Sequence, residues 1–410
     1  MKRVLLATTA LCMGAGTAVA DVALSGDAEM GIAASKDNSV RFHTDVNVKF
    51  TLSGETDAGV AFGSAVELAE SGDGSPAVDD DDEHGGISVF MSDPDGFGTL
   101  TLGDTDGGYD WAMDEIGSGG IRDDSEHGAW NGNGGLDGKH DGQILLWNRT
   151  IGSGFSMAAS VELDDHADNA ASNDPIVGFG GKFSMPMGVG NVSLGGGVQT
   201  GSFDHIIEGG LTAEQRGDGD GKPVIWGIAK TDTAAAMGRE VEGTIVGGSA
   251  VMDFGGEMGG LSVTLNASVM EADGSHTEGM GNDAITSTAD VEKTHLGVGF
   301  GYTVGAISLG VNVGSLATES KVDPNNAVNT ATSDHYMVDE TVTGVGFDVA
   351  YDLGGGATLK FGVGSSETEY DYTYAHDRAA SGASGTGANA AGHDYSSDAN
   401  KWSLGVAFSF

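Results

Sequence analysis

Residues 104–141, DTDGGYDWAMDEIGSGGIRDDSEHGAWNGNGGLDGKHD, hold ten acidic side chains and two basic ones. Asp104, Asp106, Asp110, Asp114 and Glu115 come first, and Asp123, Asp124 and Glu126 follow. Carboxylates packed this densely can set a field that favours cations. The ordinary alternative is that they are the solvated acids of a polar loop. A second run, Asp79, Asp80, Asp81, Asp82 and Glu83, offers the hard oxygen ligands that Ca2+ takes. Such charge runs are ordinarily solvated as well. Catalysis finds no foothold, because the chain has no H-E-x-x-H and no G-x-S-x-G, and Cys12 is its one cysteine. No enzyme activity is expected and no cofactor is required, with Ca2+ at the acidic loops as the one candidate.

The elements that must position these acids show a period of two. VRFHTDVNVKFTL puts Val40, Phe42, Thr44, Val46, Val48, Phe50 and Leu52 on one side. Arg41, His43, Asp45, Asn47, Lys49 and Thr51 take the other. Strict alternation marks strands with one apolar face. Sixteen such stretches are predicted: 21–33, 40–52, 59–69, 86–92, 98–103, 142–151, 154–163, 176–185, 190–200, 242–254, 261–270, 293–303, 306–316, 341–353, 357–369 and 399–410. On the polar side this parity places Arg41, Lys49, Lys182 and Lys360. Arg149 joins them in position, although ILLWNRT alternates poorly. These bases either face the acidic loop and set up a transverse field or simply line a wet surface.

The connections rotate between short and long. Tight Gly/Asp/Pro turns fall near 53–58, 93–97, 152–153, 186–189, 255–260, 304–305 and 354–356. Long polar segments fall near 34–39, 70–85, 104–141, 164–175, 201–241, 271–292, 317–340 and 370–398. An up-and-down sheet gives that rotation when every turn lies at one end. An open sheet of sixteen strands leaves two bare edges, so closure into a barrel is expected. Barrel strands cross a membrane with only ~9–11 alternating residues, an even count, short turns and longer outer loops. A mean hydropathy of −0.12 is compatible with that. Sixteen strands enclose an aqueous space rather than a filled core. Aromatics cluster by the turns, among them Phe50, Phe62, Phe155, Phe183, Tyr302, Tyr351 and Phe408, as a membrane-interface girdle would.

Residues 1–20 read as a cleaved export signal: Lys2 and Arg3, an apolar stretch, then Ala18-Val19-Ala20. Removing Lys2 and Arg3 takes the formal charge from −43 to −45 and removes Cys12 with them. Residues 21–410 are then one domain without disulfides.

DVALSGDAEMGIA, VNVKFTLSGETDAGVAFGSAVEL and YDLGGGATLKFGVG, together with the terminal Phe410, resemble the alphaproteobacterial trimeric general-diffusion porins. The resemblance implies an all-β fold, a 16-stranded antiparallel transmembrane β-barrel whose long third external loop folds into the lumen. It also implies a homotrimer and an insertion signal at Phe410. The loop 104–141 has the length that plan needs, while the chain is longer and poorer in basic residues than the pattern. The expected function is a water-filled channel in the Gram-negative outer membrane, passing ions and small hydrophilic solutes with cation preference. Its partners would be outer-membrane lipid or lipopolysaccharide, with no nucleic acid. The alternative is a non-conducting structural or adhesive barrel whose long acidic loops bind Ca2+ or surface partners; a secreted Ca2+-binding protein is a third class.

Overall fold

The computed structural model describes residues 21–36, 38–72, 84–130, 135–140, 143–163, 174–188, 190–204, 240–255, 260–278, 285–326, 332–378 and 391–410. The strands are β1 (Asp21–Ser35), β2 (Asn38–Glu55), β3 (Ala61–Gly72), β4 (His84–Asp93), β5 (Gly98–Gly103), β6 (Ile144–Ile151), β7 (Phe155–Glu162) and β8 (Ile176–Met187). They continue as β9 (Gly190–Asp204), β10 (Glu240–Phe254), β11 (Leu261–Glu278), β12 (Ile285–Val304), β13 (Ile307–Asn326), β14 (Thr332–Gly354), β15 (Ala357–Arg378) and β16 (Ala391–Ser409). One short helix, α1 (Gly108–Ala112), lies between β5 and β6. Each strand pairs antiparallel with its chain neighbours, and β1 pairs with β16, closing the sheet into a barrel. Closure leaves no unpaired edge, which is what a strand-built membrane crossing demands. Among the described residues no helix is long and apolar enough to cross a membrane.

Register keeps the two faces distinct. Around the seam, Ala28, Met30 and Ile32 of β1 stand opposite Phe408, Val406 and Leu404 of β16. Asp27, Glu29, Gly31 and Ala33 stand opposite Ser409, Ala407, Gly405 and Ser403. The first parity is bare: Leu24, Phe62, Val89, Leu102, Phe179, Val246, Leu296 and Val313 are all exposed large hydrophobics. A one-residue slip would exchange the two faces, so each pairing is strongly specified. The turn-end aromatics Phe50, Phe62, Phe155, Phe183, Tyr302 and Tyr351 share this exposed apolar face. Phe410 bonds its N–H to the Gly26 carbonyl at 2.8 Å, and its ring stacks on Phe408.

Four connections differ from expectation. The segment 34–39 is a tight link, since β1 ends at Ser35 and β2 begins at Asn38. The segments 271–292, 317–340 and 370–398 are largely strand, because β11 to β16 run well past the apolar stretch. Backbone pairing continues there although the sequence is polar at both parities. At the other end, the β14–β15 turn uses Gly354, Gly355 and Gly356, all with positive φ (81°, 66° and 86°). Only glycine adopts such a run without strain.

Residues 1–20 and the run Asp79–Glu83 lie outside the described residues.

Candidate functional site

The segment that joins β5 to β6 is built as a ribbon laid along the polar face of the sheet. Its outward leg starts at α1, where the Gly108 N–H donates to Ser160 Oγ of β7 at 2.7 Å. The Asp114 N–H donates to Ser249 Oγ of β10 at 2.8 Å. Asn312 of β13 donates its amide to the carbonyls of Gly117 and Ser125 at 3.1 and 3.2 Å. At the tip, the Ile121 N–H donates to Ser403 Oγ of β16, and the Ile121 carbonyl lies 3.2 Å from His43 Nε2 of β2. The return leg comes back to β9 and β7: Leu136 N–H to Gln199 Oε1 at 2.6 Å, and Gly138 and His140 N–H to the Glu162 carboxylate. Ser160, Ser249, Asn312, Ser403, Gln199 and Glu162 are all buried. A segment without regular structure must satisfy its backbone groups somewhere, and these short polar side chains do it.

Glycine supplies the berth. An added Cβ at Gly346 would strike the Ser125 carbonyl oxygen, and one at Gly362 the Gly119 carbonyl oxygen. At Gly180 and Gly195 it would strike the carbonyls of Gly108 and Ala112. At Gly31 and Gly405 it would come within 2.6 and 2.7 Å of Ile121 Cδ1. These positions need space rather than unusual backbone angles. Tyr109, Met113 and Leu136 then pack with Ile176, Phe203, Ile245 and Ala272 in a small apolar cluster. Burying one such large side chain contributes about 1.5–3 kcal/mol.

Along β2–β4 the ribbon meets the wall at His43 and at Ile87 but leaves a gap. Between the ribbon and β2–β4 lies a cavity of about 390 Å3, lined by Lys49, Glu67, Ser88, Asp104, Thr105, Asp106, Asp110 and Asp137 among others. Asp104, Asp106 and Asp110 of the candidate acids therefore reach the cavity. Asp114 instead sits 3.6 Å from Lys182 Nζ, which also lies over the Trp111 ring. Glu115 is close enough to act on Asp110. Asp123 adopts a positive φ of 47° at the bend of the ribbon. Asp124 is fully buried and paired with Arg122 at 3.3 Å, so it is structural rather than cavity-lining. Glu126 contributes its backbone carbonyl against Gly364.

The bases divide similarly. Lys49 pairs with Glu67 at 3.2 Å and Lys360 with Glu29 at 2.8 Å, both partners being wall residues. Lys182 alone of these three pairs with the ribbon. Arg41 stands opposite Ala33 on the polar parity. Arg149 stands opposite Met157, on the same parity as Trp147 and Phe155. It belongs to the apolar face and not with Lys49; ILLWNRT lacks the alternation that would have fixed its side. Residues the sequence did not single out are Asp137, Glu29 and the anchors Ser160, Gln199, Ser249, Asn312 and Ser403. The parity of the strand residues among them was readable, but nothing in the sequence tells an anchor from ordinary polar lining.

Electrostatics concentrate at Asp110. Burial, then Asp106, Asp137 and Glu115, push its carboxyl up to about 7, against the pull of Lys182. Burial also raises Asp137, opposed by hydrogen bonds from the Gly107 N–H and Gln199. Burial lifts the Tyr109 hydroxyl to about 12, so it remains a neutral donor. Like charges crowded in a partly desolvated site raise one another's proton affinity. Among the described residues no group of three or more His, Cys, Asp or Glu is disposed to hold a metal ion.

A closed sixteen-stranded barrel, apolar on one face and polar on the other, defines a strand-built outer-membrane protein. The family model for Gram-negative porins matches residues 7–371, and the chain belongs to that family. Among solved structures it is similar to a porin refined at 1.8 Å, with 18% identity over 95% of this chain and 100% of that one, TM-score 0.56. It is also similar to OmpT of Vibrio cholerae as expressed in the outer membrane: 14% identity, 97% and 99% coverage, TM-score 0.57. The in-vitro folded trimer form of that protein matches at 13% identity, 95% and 99% coverage, TM-score 0.57. Identities this low carry the fold alone. No curated protein sequence matches.

Proposed function

We propose that this porin is a diffusion channel for ions and small hydrophilic solutes in which the ribbon 104–140 narrows the lumen and favours cations. One arrangement carries the reading. The ribbon touches the polar face of β7, β10, β13, β16 and β2, strands distributed around a closed ring. A short chain that reaches the same face on opposite sides of a ring runs inside it. The space left beside β2–β4 is then the eyelet, where Asp104, Asp106, Asp110, Asp137 and Glu67 outnumber Lys49. Carboxylate-lined constrictions admit cations in preference to anions. The ion pairs at Lys49 and Lys360 mute the transverse field that unpaired wall bases would give.

Family resemblance supports a homotrimer with Phe410 as the insertion signal, and the basic, apolar and small-residue pattern of residues 1–20 supports export through a signal cleaved after Ala20. Reversal potential in a KCl gradient across a planar bilayer tests the central claim. A cation-selective potential is expected; absent conductance sinks the channel, and an anion-selective potential sinks the preference.

A further inference from the structure

Two histidines lie beneath the return leg of the ribbon. His127 is buried against β13 and β14, where an added Cβ at Gly314 or Gly344 would meet its ring. His295 of β12 is 1% exposed. Its β13 partner Leu316 lies two residues along the same face from Gly314, and His295 is near enough to act electrostatically on His127. No nitrogen of either ring has a hydrogen-bond partner of ordinary geometry. The polar groups beside them are the Asn312 amide and the backbone at Ala129. The charged groups acting on His127 are His295 and, from β16, Lys401. β14 and β15 present Val342, Gly344 and Ser366 to this stretch. Glu126 precedes His127 in the chain, and Lys293, two residues before His295 on β12, has Lys139 of the ribbon and Glu340 as its charged neighbours.

We propose that His127 and His295 are positioning residues that hold the return leg on β12–β14 only while both are neutral, so that acid frees this part of the ribbon and widens the passage. Neutral imidazoles tolerate an apolar berth next to each other. Two imidazolium ions there would lose their water, repel one another and be repelled by Lys401. Burial holds His127 below the usual histidine range, opposed by a hydrogen bond with Asn312 and reinforced by His295 and Lys401. The bound ribbon therefore releases protons that the freed ribbon takes up. Below an ordinary histidine pKa of about 6.5, the freed fraction grows by up to about tenfold per pH unit for each histidine. The inference rests on the ribbon being the constriction.

The test uses the full protein in liposomes and follows swelling by an uncharged trisaccharide, a solute blind to carboxylate titration. The wild-type rate should rise several-fold between about pH 7 and pH 5, and His127→Gln with His295→Gln should abolish the rise. A wild-type rate that is measurable and equal at about pH 7 and pH 5 overturns the proposal without any variant. So does a rise that survives both substitutions. Hydrogen exchange of amides 125–130 in the wild type, corrected for the intrinsic pH effect, needs no conduction. Acid-induced loss of protection there is expected, and unchanged protection overturns the release. Swelling absent at every pH, with protection still lost in acid, refutes the constriction reading and spares the histidine latch.

Discussion

Two arcs of one barrel wall use their polar face in opposite ways. From β7 round to β16 the positions under the ribbon are glycine, serine and asparagine, and the wall accepts another piece of backbone. Across β2–β4 the same parity carries Lys49, Glu67 and Ser88, and the wall faces open space. Side-chain size decides which stretch of wall is covered and which is left to water. Removing a Cβ makes room for a carbonyl; adding a charged side chain keeps a passage wet.

The largest break in this contrast is expected at the berth. Gly346→Leu should cost about 3 kcal/mol by overpacking and raise single-channel conductance as the ribbon lifts. Gly248→Ala, whose nearest neighbour is 3.5 Å away, should leave both unchanged. Equal thermal stability of the two variants would erase the distinction between the faces. Next, Asp104→Asn with Asp106→Asn and Asp110→Asn should lower the cation-to-anion permeability ratio about tenfold, or roughly 1.4 kcal/mol. Reversal potentials that match the wild type would remove the cavity from the filter.

A smaller effect comes from Asp110 alone. Its carboxyl is raised to about 7, so it is protonated below and charged above. Cation preference should climb between about pH 6 and 8 and lose that step in Asp110→Asn. The linked stability has the opposite slope. A folded-state value above the unfolded one gives a contribution present at low pH and lost as pH rises through 7. Smallest is Lys49→Met: its pair with Glu67 is partly exposed, so stability should change by less than about 1 kcal/mol. The freed Glu67 should make the eyelet slightly more cation-selective; a shift toward anions would reverse the role given to this arc.

Legibility in the sequence followed the same division. The alternation at Val40–Leu52 or Leu404–Phe408 arises because lipid enforces one apolar face, and it made most of the strands readable, with β6 the weak case. Past the apolar stretch the sequence of β11–β16 is polar at both parities, so the period fades although pairing continues through Glu278, Asn326 and Arg378. Arg149 was misplaced because Leu145 and Leu146 are both apolar and give no parity. The glycines were harder still. A composition with 71 of them suggests turns and flexibility, whereas Gly180, Gly346 and Gly362 are fixed strand positions whose lack of a side chain is their function. Only the path of a distant segment reveals that. Asp104, Asp106 and Asp110 were recognisable as candidates by density alone, while the burial of Asp124 depends on Arg122 and on the wall above it.

The ribbon's tip imposes an order on assembly. Ile121 is held by Ser403, His43 and the bare surfaces of Gly31 and Gly405, so its socket draws on β16, β1 and β2 together. That socket exists only once the first and last strands have zipped. A chain still open at the seam has nowhere to seat the tip, and the seating of the tip becomes a readout of completed folding. In a refolding time course, shielding of Ile121 should therefore trail the formation of β1–β16 hydrogen bonds.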